Sequence, residues 1–322
     1  MLRRHVLPTL SALALSPGAL AQEVPWPTRP VRVIVPFPPG GSNDAVARPL
    51  AETLSRSLSQ PFVIENRGGA GSVIGTGEVA RAPADGSTLL VTSTSFATSA
   101  AVQTTPYNAA RDFETVALLA SAPLSIIASR SFPPNTTAEA IAYIRAHPGK
   151  VHYGSAGPGT IGHLAGALFA LRAGGLDMTH VPYRGTGPVL GDMAGGTIEL
   201  TFTSMPAAAG LIASGRLKII GWTTEQPPSG GPSAPTPRES GLADYEAGLW
   251  WGLLARRGLP SSIRGRLNAA VNAAVTEGRF AESLAHEGAT PGRLSPEESE
   301  RFVQADLARW REVAQAANIR AE

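Results

Sequence analysis

Cysteine is absent from all 322 residues. That excludes disulfide cross-links and any zinc or iron–sulfur centre built on thiolates, so the fold must be held by packing, and an oxidising compartment is tolerated but not exploited. Metal-ligand spacing is absent too. The six histidines form no HExxH or comparable pair, and no metal or other cofactor is expected. Charge of one sign is also lacking. Two of the 27 basic residues, Arg3 and Arg4, fall in the first 21 positions, which hold no acid, and this leaves 25 basic against 25 acidic residues over the remainder. Nucleic acid is therefore not an expected partner. After residue 21 no stretch is long and apolar enough to span a bilayer.

What is present begins with a leader. Residues 1–21 carry Arg3, Arg4 and His5, then a short apolar run, then Ala19-Leu20-Ala21. This is the pattern of a secretory signal peptide cut after Ala21, and it predicts an exported protein. The remaining chain, about 300 residues, suffices for a large core divided over about two domains. Its 35 glycines and 28 prolines punctuate recurring apolar runs, as the many short turns of an α/β chain require.

The segment 31–48, VRVIVPFPPGGSNDAVAR, sets the pattern for the rest. Val31, Val33, Ile34 and Val35 read as a buried parallel strand that Pro36, Pro38 and Pro39 cannot continue. Gly40 and Gly41 turn the chain. Ser42 or Asn43 can cap a helix through Ala45, Val46, Leu50, Leu54 and Leu58, and Asp44 complements its dipole. A helix start of this kind leaves N–H groups unpaired and suits a carboxylate or phosphate. A plain strand-to-helix turn is the alternative reading of the same residues.

Strand, glycine loop and helix recur along the chain, at 62–80, 151–172 and 180–194, and a strand at 198–202 is followed by a helix at 207–214. Ser93, Thr94, Ser95 and Thr98 follow a strand at 88–92, at the edge where open α/β sheets bind ligands, although a polar loop would look the same. Ser121-Ala122-Pro123 marks a passage between domains, and Thr137 to Ala146 makes a short helix. Residues 225–245 form a proline-rich excursion, and Gly248 to Ala255 return the chain to the first domain, with Trp250 and Trp251 straddling the two faces of a strand, one in the core and one near the cleft. Helices at 262–277, 279–287 and 295–317 complete it.

Two motifs compete with a binding reading. Gly157-Pro158-Gly159-Thr160-Ile161-Gly162 matches GxGxxG, with Asp177 downstream. Export away from nicotinamide pools and the stiff Pro158 count against a dinucleotide site. Ser155, His163 and either Asp44 or Asp192 would be the members of a hydrolase triad. The nucleophile elbow GxSxG is missing, since Tyr153 stands two places before Ser155.

Six segments in order give the chain a more specific likeness: 36–48, 65–76, 106–120, 153–169, 180–202 and 248–260. Together they resemble the substrate-binding proteins of tripartite tricarboxylate transporters, the Bug family, over essentially the whole chain after the leader. The resemblance implies an α/β, two-lobed periplasmic binding protein of type II (Venus-flytrap), acting as a monomer and not as an enzyme. It implies a small organic acid or amino acid as ligand and membrane permease subunits as partners. The expected division is lobe 1 from 22–122 and 224–322, and lobe 2 from 123–223. In that family the Pro/Gly loop and the Ser/Gly loop hold a carboxylate through backbone amides, hydroxyls and water. Phe37, Pro39, Gly40, Gly41 and Asp44, with Ser95, would then line one wall of the cleft. Ser155, Gly157, Gly159, Thr160, His163, Tyr183 and Thr186 would line the other. Asp44 could instead repel di-anions or accept an ammonium. Ala156 and Pro158 stand where many relatives carry serine and asparagine, and Arg256 and Arg257 replace apolar or proline residues; both arginines are expected at the surface near the lobe junction. A periplasmic hydrolase and a ligand sensor are the alternatives.

Overall fold

A computed structural model of the chain describes residues 25–228, 231–242, 244–316 and 318–320; the leader expected over 1–21 lies outside them. The first strand, β1 (Val31–Val35), is paired in parallel on both sides, with β2 (Phe62–Asn66) and β3 (Thr88–Ser93). A strand covered on both faces reads as one apolar run, which is why Val33, Ile34 and Val35 stand consecutively. Beyond β3 the sheet continues with β10 (Gly248–Arg256), β4 (Phe113–Pro123) and the short β11 (Thr290–Pro291), each antiparallel to its neighbour. The order is β11-β4-β10-β3-β1-β2.

A second sheet repeats the plan. β6 (Val151–Ser155) lies parallel between β7 (Met178–Pro182) and β8 (Leu200–Thr203), and β5 (Ser125–Ser129) and β9 (Leu217–Trp222) add antiparallel strands in the order β7-β6-β8-β5-β9. Each sheet thus holds a parallel triplet followed by an antiparallel strand. The chain passes between them at Leu124 and again beyond Trp222. Thr223 joins these crossings: its Oγ1 accepts from the Leu124 amide at 3.0 Å and donates to the Ala247 carbonyl at 2.6 Å.

Parallel strands need crossover helices, and the position of each helix follows from its strand. α1 (Ser42–Leu58), α2 (Val73–Ala80) and α3 (Ser95–Val102) follow β1, β2 and β3, and α4 (Thr137–Ala146) precedes β6. α5 (Ile161–Arg172), α6 (Thr186–Ala194) and α7 (Met205–Ala213) follow β6, β7 and β8. α8 (Ser261–Ala274), α9 (Gly278–His286) and α10 (Pro296–Ala316) pack on the first sheet's side. In α1 the four-residue spacing of Val46, Leu50, Leu54 and Leu58 buries one face; each side chain contributes about 1.5–3 kcal/mol.

Two local expectations change and a third holds. The hydroxyl-rich segment after β3 is helical: Ser95, Thr98 and Ser99 are buried, Thr98 Oγ1 donates back to the Thr94 carbonyl, and the segment packs on α10. Trp250 and Trp251 are both buried, so neither reaches the cleft. Trp250 turns to α10, where its Nε1 donates to Asp306 Oδ2 at 2.7 Å and Phe302 meets it edge-on. Arg256 and Arg257 are exposed, bonded to the carbonyls of Ala82, Arg111 and Ala110 and to Glu300, and face no cleft.

Candidate functional site

Helices that follow parallel strands all begin at the strands' carboxyl ends, and the two parallel triplets turn those ends toward each other. Between them lies a cavity of about 580 Å³. The N-termini of α1, α5, α6 and α7 open on it, at Gly41, Thr160, Gly185 and Ser204, and none of the four is closed by a side-chain cap. Their first N–H groups have no acceptor within the helix and carry the positive end of its dipole. α4 and α10, which point elsewhere, are capped: Thr136 accepts from Glu139 and Ser295 from Glu298. α2, α3, α8 and α9 also lack side-chain caps, but their N-cap residues do not line the cavity.

One wall is the loop from Phe37 to Asn43 with Ser93, Ser95 and Leu249; the other runs through Ser155, Ala156 and Thr160, then Arg184 to Leu190, then Thr201 to Ala207. Many of the hydroxyls are already engaged. Thr160 Oγ1 donates to the Gly157 carbonyl at 2.7 Å and Thr201 Oγ1 to that of Gly154 at 2.8 Å. Ser95 Oγ only accepts, from the Ile161 amide at 3.4 Å, and keeps its hydrogen for a guest. Ser42 Oγ and Asn43 Oδ1 are buried without any partner. The charged or titratable side chains on the lining, among the described residues, are Arg184, His286 and Glu287.

Of the thirteen residues expected at the site, Phe37, Pro39, Gly40, Gly41, Ser95, Ser155, Thr160 and Thr186 line the cavity. Asp44 does not. Its carboxylate points back into the loop and accepts from the Gly40 amide at 3.0 Å, Arg48 Nε at 2.8 Å and Asn66 Nδ2 at 3.0 Å. Burial alone would raise its pKa, but these three donors outweigh burial and hold it below the usual carboxylate value. Asp44 is thereby a staple for the loop, with no free oxygen left to repel a di-anion or receive an ammonium. Tyr183 turns away as well, donating to Asp192 Oδ2 at 2.6 Å.

Gly157, Gly159 and His163 lie behind the wall. Gly159 has φ +74°, and a Cβ there would meet Gln103 Nε2 at 2.4 Å and Ser99 Cα at 3.1 Å. Gly71, on the opposite side, has φ +60°, and its Cβ would meet the Pro158 carbonyl at 2.5 Å. Only glycine allows both the left-handed backbone and the approach. Ser99 Oγ lies 2.5 Å from the Gly71 carbonyl and 3.1 Å from that of Gly159, and Gln103 Nε2 donates to the Pro158 carbonyl at 3.1 Å. These contacts latch the two sides together beneath the cavity.

His163 stacks on His180 with ring centroids 3.9 Å apart, and its Nδ1 accepts from the Gly159 amide at 3.2 Å. Burial pushes His163 down to about 4; burial and the neighbouring His163 push His180 down to about 3. Both rings are neutral at pH 7. Ser155 Oγ meets His180 Nε2 at 2.7 Å rather than His163, and no carboxylate bonds to either ring among the described residues. Asp44 and Asp192 are committed elsewhere, so the hydrolase triad does not assemble.

Residues the sequence reading passed over include Arg184, Ser204, Leu249, His286 and Glu287. Thr203-Ser204 before Pro206 offered the same strand-then-hydroxyl signal as the earlier loops. Glu287 offered none. It closes the end of α9 and reaches the cavity only through tertiary packing; its Oε2 is buried without a partner, and burial pushes the carboxyl up.

A family model described as "Tripartite tricarboxylate transporter family receptor" matches residues 46–319. Among curated proteins, "Protein BugT" of Bordetella pertussis is 35% identical over 288 residues, covering 88% of this chain and 88% of its own. A "UPF0065 protein in tcbD-tcbE intergenic region" of Pseudomonas sp. is 34% identical, covering 97% and 93%. Among solved structures, an R. palustris protein with adipate superposes with TM-score 0.85 at 36% identity, covering 92% of this chain and 99% of its own. MatC from Rhodopseudomonas palustris with bound malate gives 0.83 at 32%, covering 89% and 99%. The periplasmic binding protein BugD gives 0.83 at 32%, covering 92% and 100%.

Proposed function

The chain belongs to the tripartite tricarboxylate transporter receptor family, a family of solute-binding receptors and not of enzymes, and we propose on that footing that it captures a small organic carboxylate between two lobes in the periplasm and delivers it to a membrane permease. Lobe 1 comprises 22–122 and 224–322, lobe 2 comprises 123–223, and the leader is removed after Ala21. The observation that carries this reading is the meeting of four uncapped helix N-termini on one cavity, beside Ser42 and Ser95, whose hydroxyls have hydrogens to give. Each helix end contributes about 0.3–1 kcal/mol toward an anion, and each hydrogen bond to a charged group roughly 1.5–3 kcal/mol. Amides and hydroxyls therefore dominate, and the dipoles orient. The acids named with two structural relatives, adipate and malate, are dicarboxylates of a size that such a cavity admits.

The test is a thermal-shift screen of ligand-stripped protein against mono-, di- and tricarboxylates, amino acids and aromatic acids. A ligand at about 100 times its Kd adds about 2.7 kcal/mol and raises the midpoint by several degrees. No shift with any acid, from protein shown to be folded and empty, overturns the carboxylate reading.

A further inference from the structure

Glu287 has no part in holding the fold that its environment reveals. It is 9% exposed, lines the cavity and forms no ion pair among the described residues; the Ser204 hydroxyl attends it, while its Oε2 is wholly enclosed without a partner. A buried carboxylate with one oxygen left unpartnered is among the costlier groups a protein can carry, and one that faces a ligand cavity finds that partner in the ligand. The other charges on the lining do not satisfy it. Arg184 and His286 are both exposed and neither bonds to it, the neighbouring His286 acting on it only through space. Asp44, the other acid near the cleft, already has three donors.

The cavity is thus divided in character. Helix N-termini and hydroxyls from the loops after β1, β6, β7 and β8 present hydrogen-bond donors, and Glu287, at the end of α9, presents an acceptor with negative charge. A plain dicarboxylate would place a second anion in a cavity that already holds one. We propose that Glu287 selects the ligand's second group and that this group is an ammonium, so that the cavity takes an amino acid with its carboxylate at the helix ends. The inference rests on the carboxylate reading above and narrows it. Burial pushes the carboxyl up, and an arriving cation favours its ionised form. Ser204, whose hydroxyl favours that ionised form, stands beside it on the lining.

The experiment is isothermal titration of the ligand-stripped protein with matched acids that differ in one substituent. The first set is succinate, malate and aspartate, and the second glutarate, 2-hydroxyglutarate and glutamate. The tightest acid of the thermal screen, with its amino and deaminated counterparts, forms a third. Wild-type protein should bind the amino member of at least one set roughly 10- to 100-fold more tightly than the unsubstituted member. Glu287→Gln, which keeps the side chain's shape, should erase that preference and bind the unsubstituted acid as well as or better than wild type does. Unsubstituted or hydroxy acids binding wild type as tightly as every amino counterpart overturns the proposal and leaves the carboxylate reading standing. An amino preference that survives in Glu287→Gln overturns the role of Glu287. Absence of binding by every acid overturns both readings together.

Discussion

Replacing Gly71 with alanine puts a methyl group where the two sides of the cleft meet, and its cost divides into parts that different assays read. The first is conformational. Gly71 has φ +60° and ψ 32°, a left-handed backbone that costs an L-residue roughly 1–2 kcal/mol wherever the loop keeps this shape, whether or not the cleft is closed. The second is steric. The new Cβ would stand 2.5 Å from the Pro158 carbonyl oxygen, 3.0 Å from Gln103 Nε2 and 3.1 Å from Ser99 Oγ. The Gln103 amide can swing away. The carbonyl is backbone from the opposite side and cannot, so the two sides must part, at about 1–3 kcal/mol by analogy with overpacked cores. That second part is incurred only when the sides are in contact. Calorimetric melting of the ligand-free protein should therefore show a midpoint lowered by a few degrees, and titration with the best acid should show Kd raised roughly 5- to 150-fold. Gly41→Ala is the comparison: φ is −85° and the nearest atom to its Cβ is the Pro38 carbonyl oxygen at 3.9 Å, so its melting should match wild type and any loss of affinity reports the ligand alone. A Gly71→Ala protein with a lowered midpoint but unchanged affinity would refute the idea that these contacts belong to the ligand-holding state.

Two further predictions concern groups behind the wall. Asp44→Ala leaves the Gly40 amide and Asn66 Nδ2 without that acceptor and should cost about 2–4 kcal/mol, the half-exposed pair with Arg48 adding little; urea unfolding that matches wild type would contradict the staple role. Because the folded pKa of Asp44 is lowered, its contribution is present above the ordinary carboxyl value of 3.8 and fades as pH falls through the folded value. The histidine pair acts in a different window. Above about pH 6.5 both rings are neutral folded and unfolded and cost nothing; below it the unfolded chain binds protons that the fold refuses, so stability falls until about pH 4 for His163 and about pH 3 for His180. His163→Gln should flatten the melting midpoint between pH 6.5 and 4, and an unchanged pH profile would remove the pair from the account.

Legibility in the sequence followed the range of the interaction. α4 is found at Thr137–Ala146 as expected, and β1 at Val31–Val35, because each is delimited by residues adjacent in the chain: Thr136 as a cap at one end, Pro36 as a stop at the other. The loops after β1 and β6 were legible for the same reason. A run of β-branched residues, then glycines, then a helical period can be read without knowing what lies across the cleft. α3 was misread because its evidence is not local. Ser95, Thr98 and Ser99 look like loop residues until α10 packs on them and the Thr94 carbonyl takes one hydroxyl.

The site divides along the same line, and this bears on specificity. The groups that point to an anion are backbone amides at helix starts, and their positions follow from strand–loop–helix order, so sequence reading reaches them. The groups that would distinguish one acid from another are side chains brought in by packing: Arg184 at the rim, and Glu287 from a helix end far along the chain. Sequence reasoning assigned the ammonium-accepting role to Asp44 because that carboxylate sits in the loop itself. In the fold, proximity along the chain works against it, since Arg48 one helical turn away and the Gly40 amide claim its oxygens. A carboxylate supplied from a distant helix arrives with no such local donors. That is why Glu287, and not Asp44, is left with an oxygen free to address a ligand.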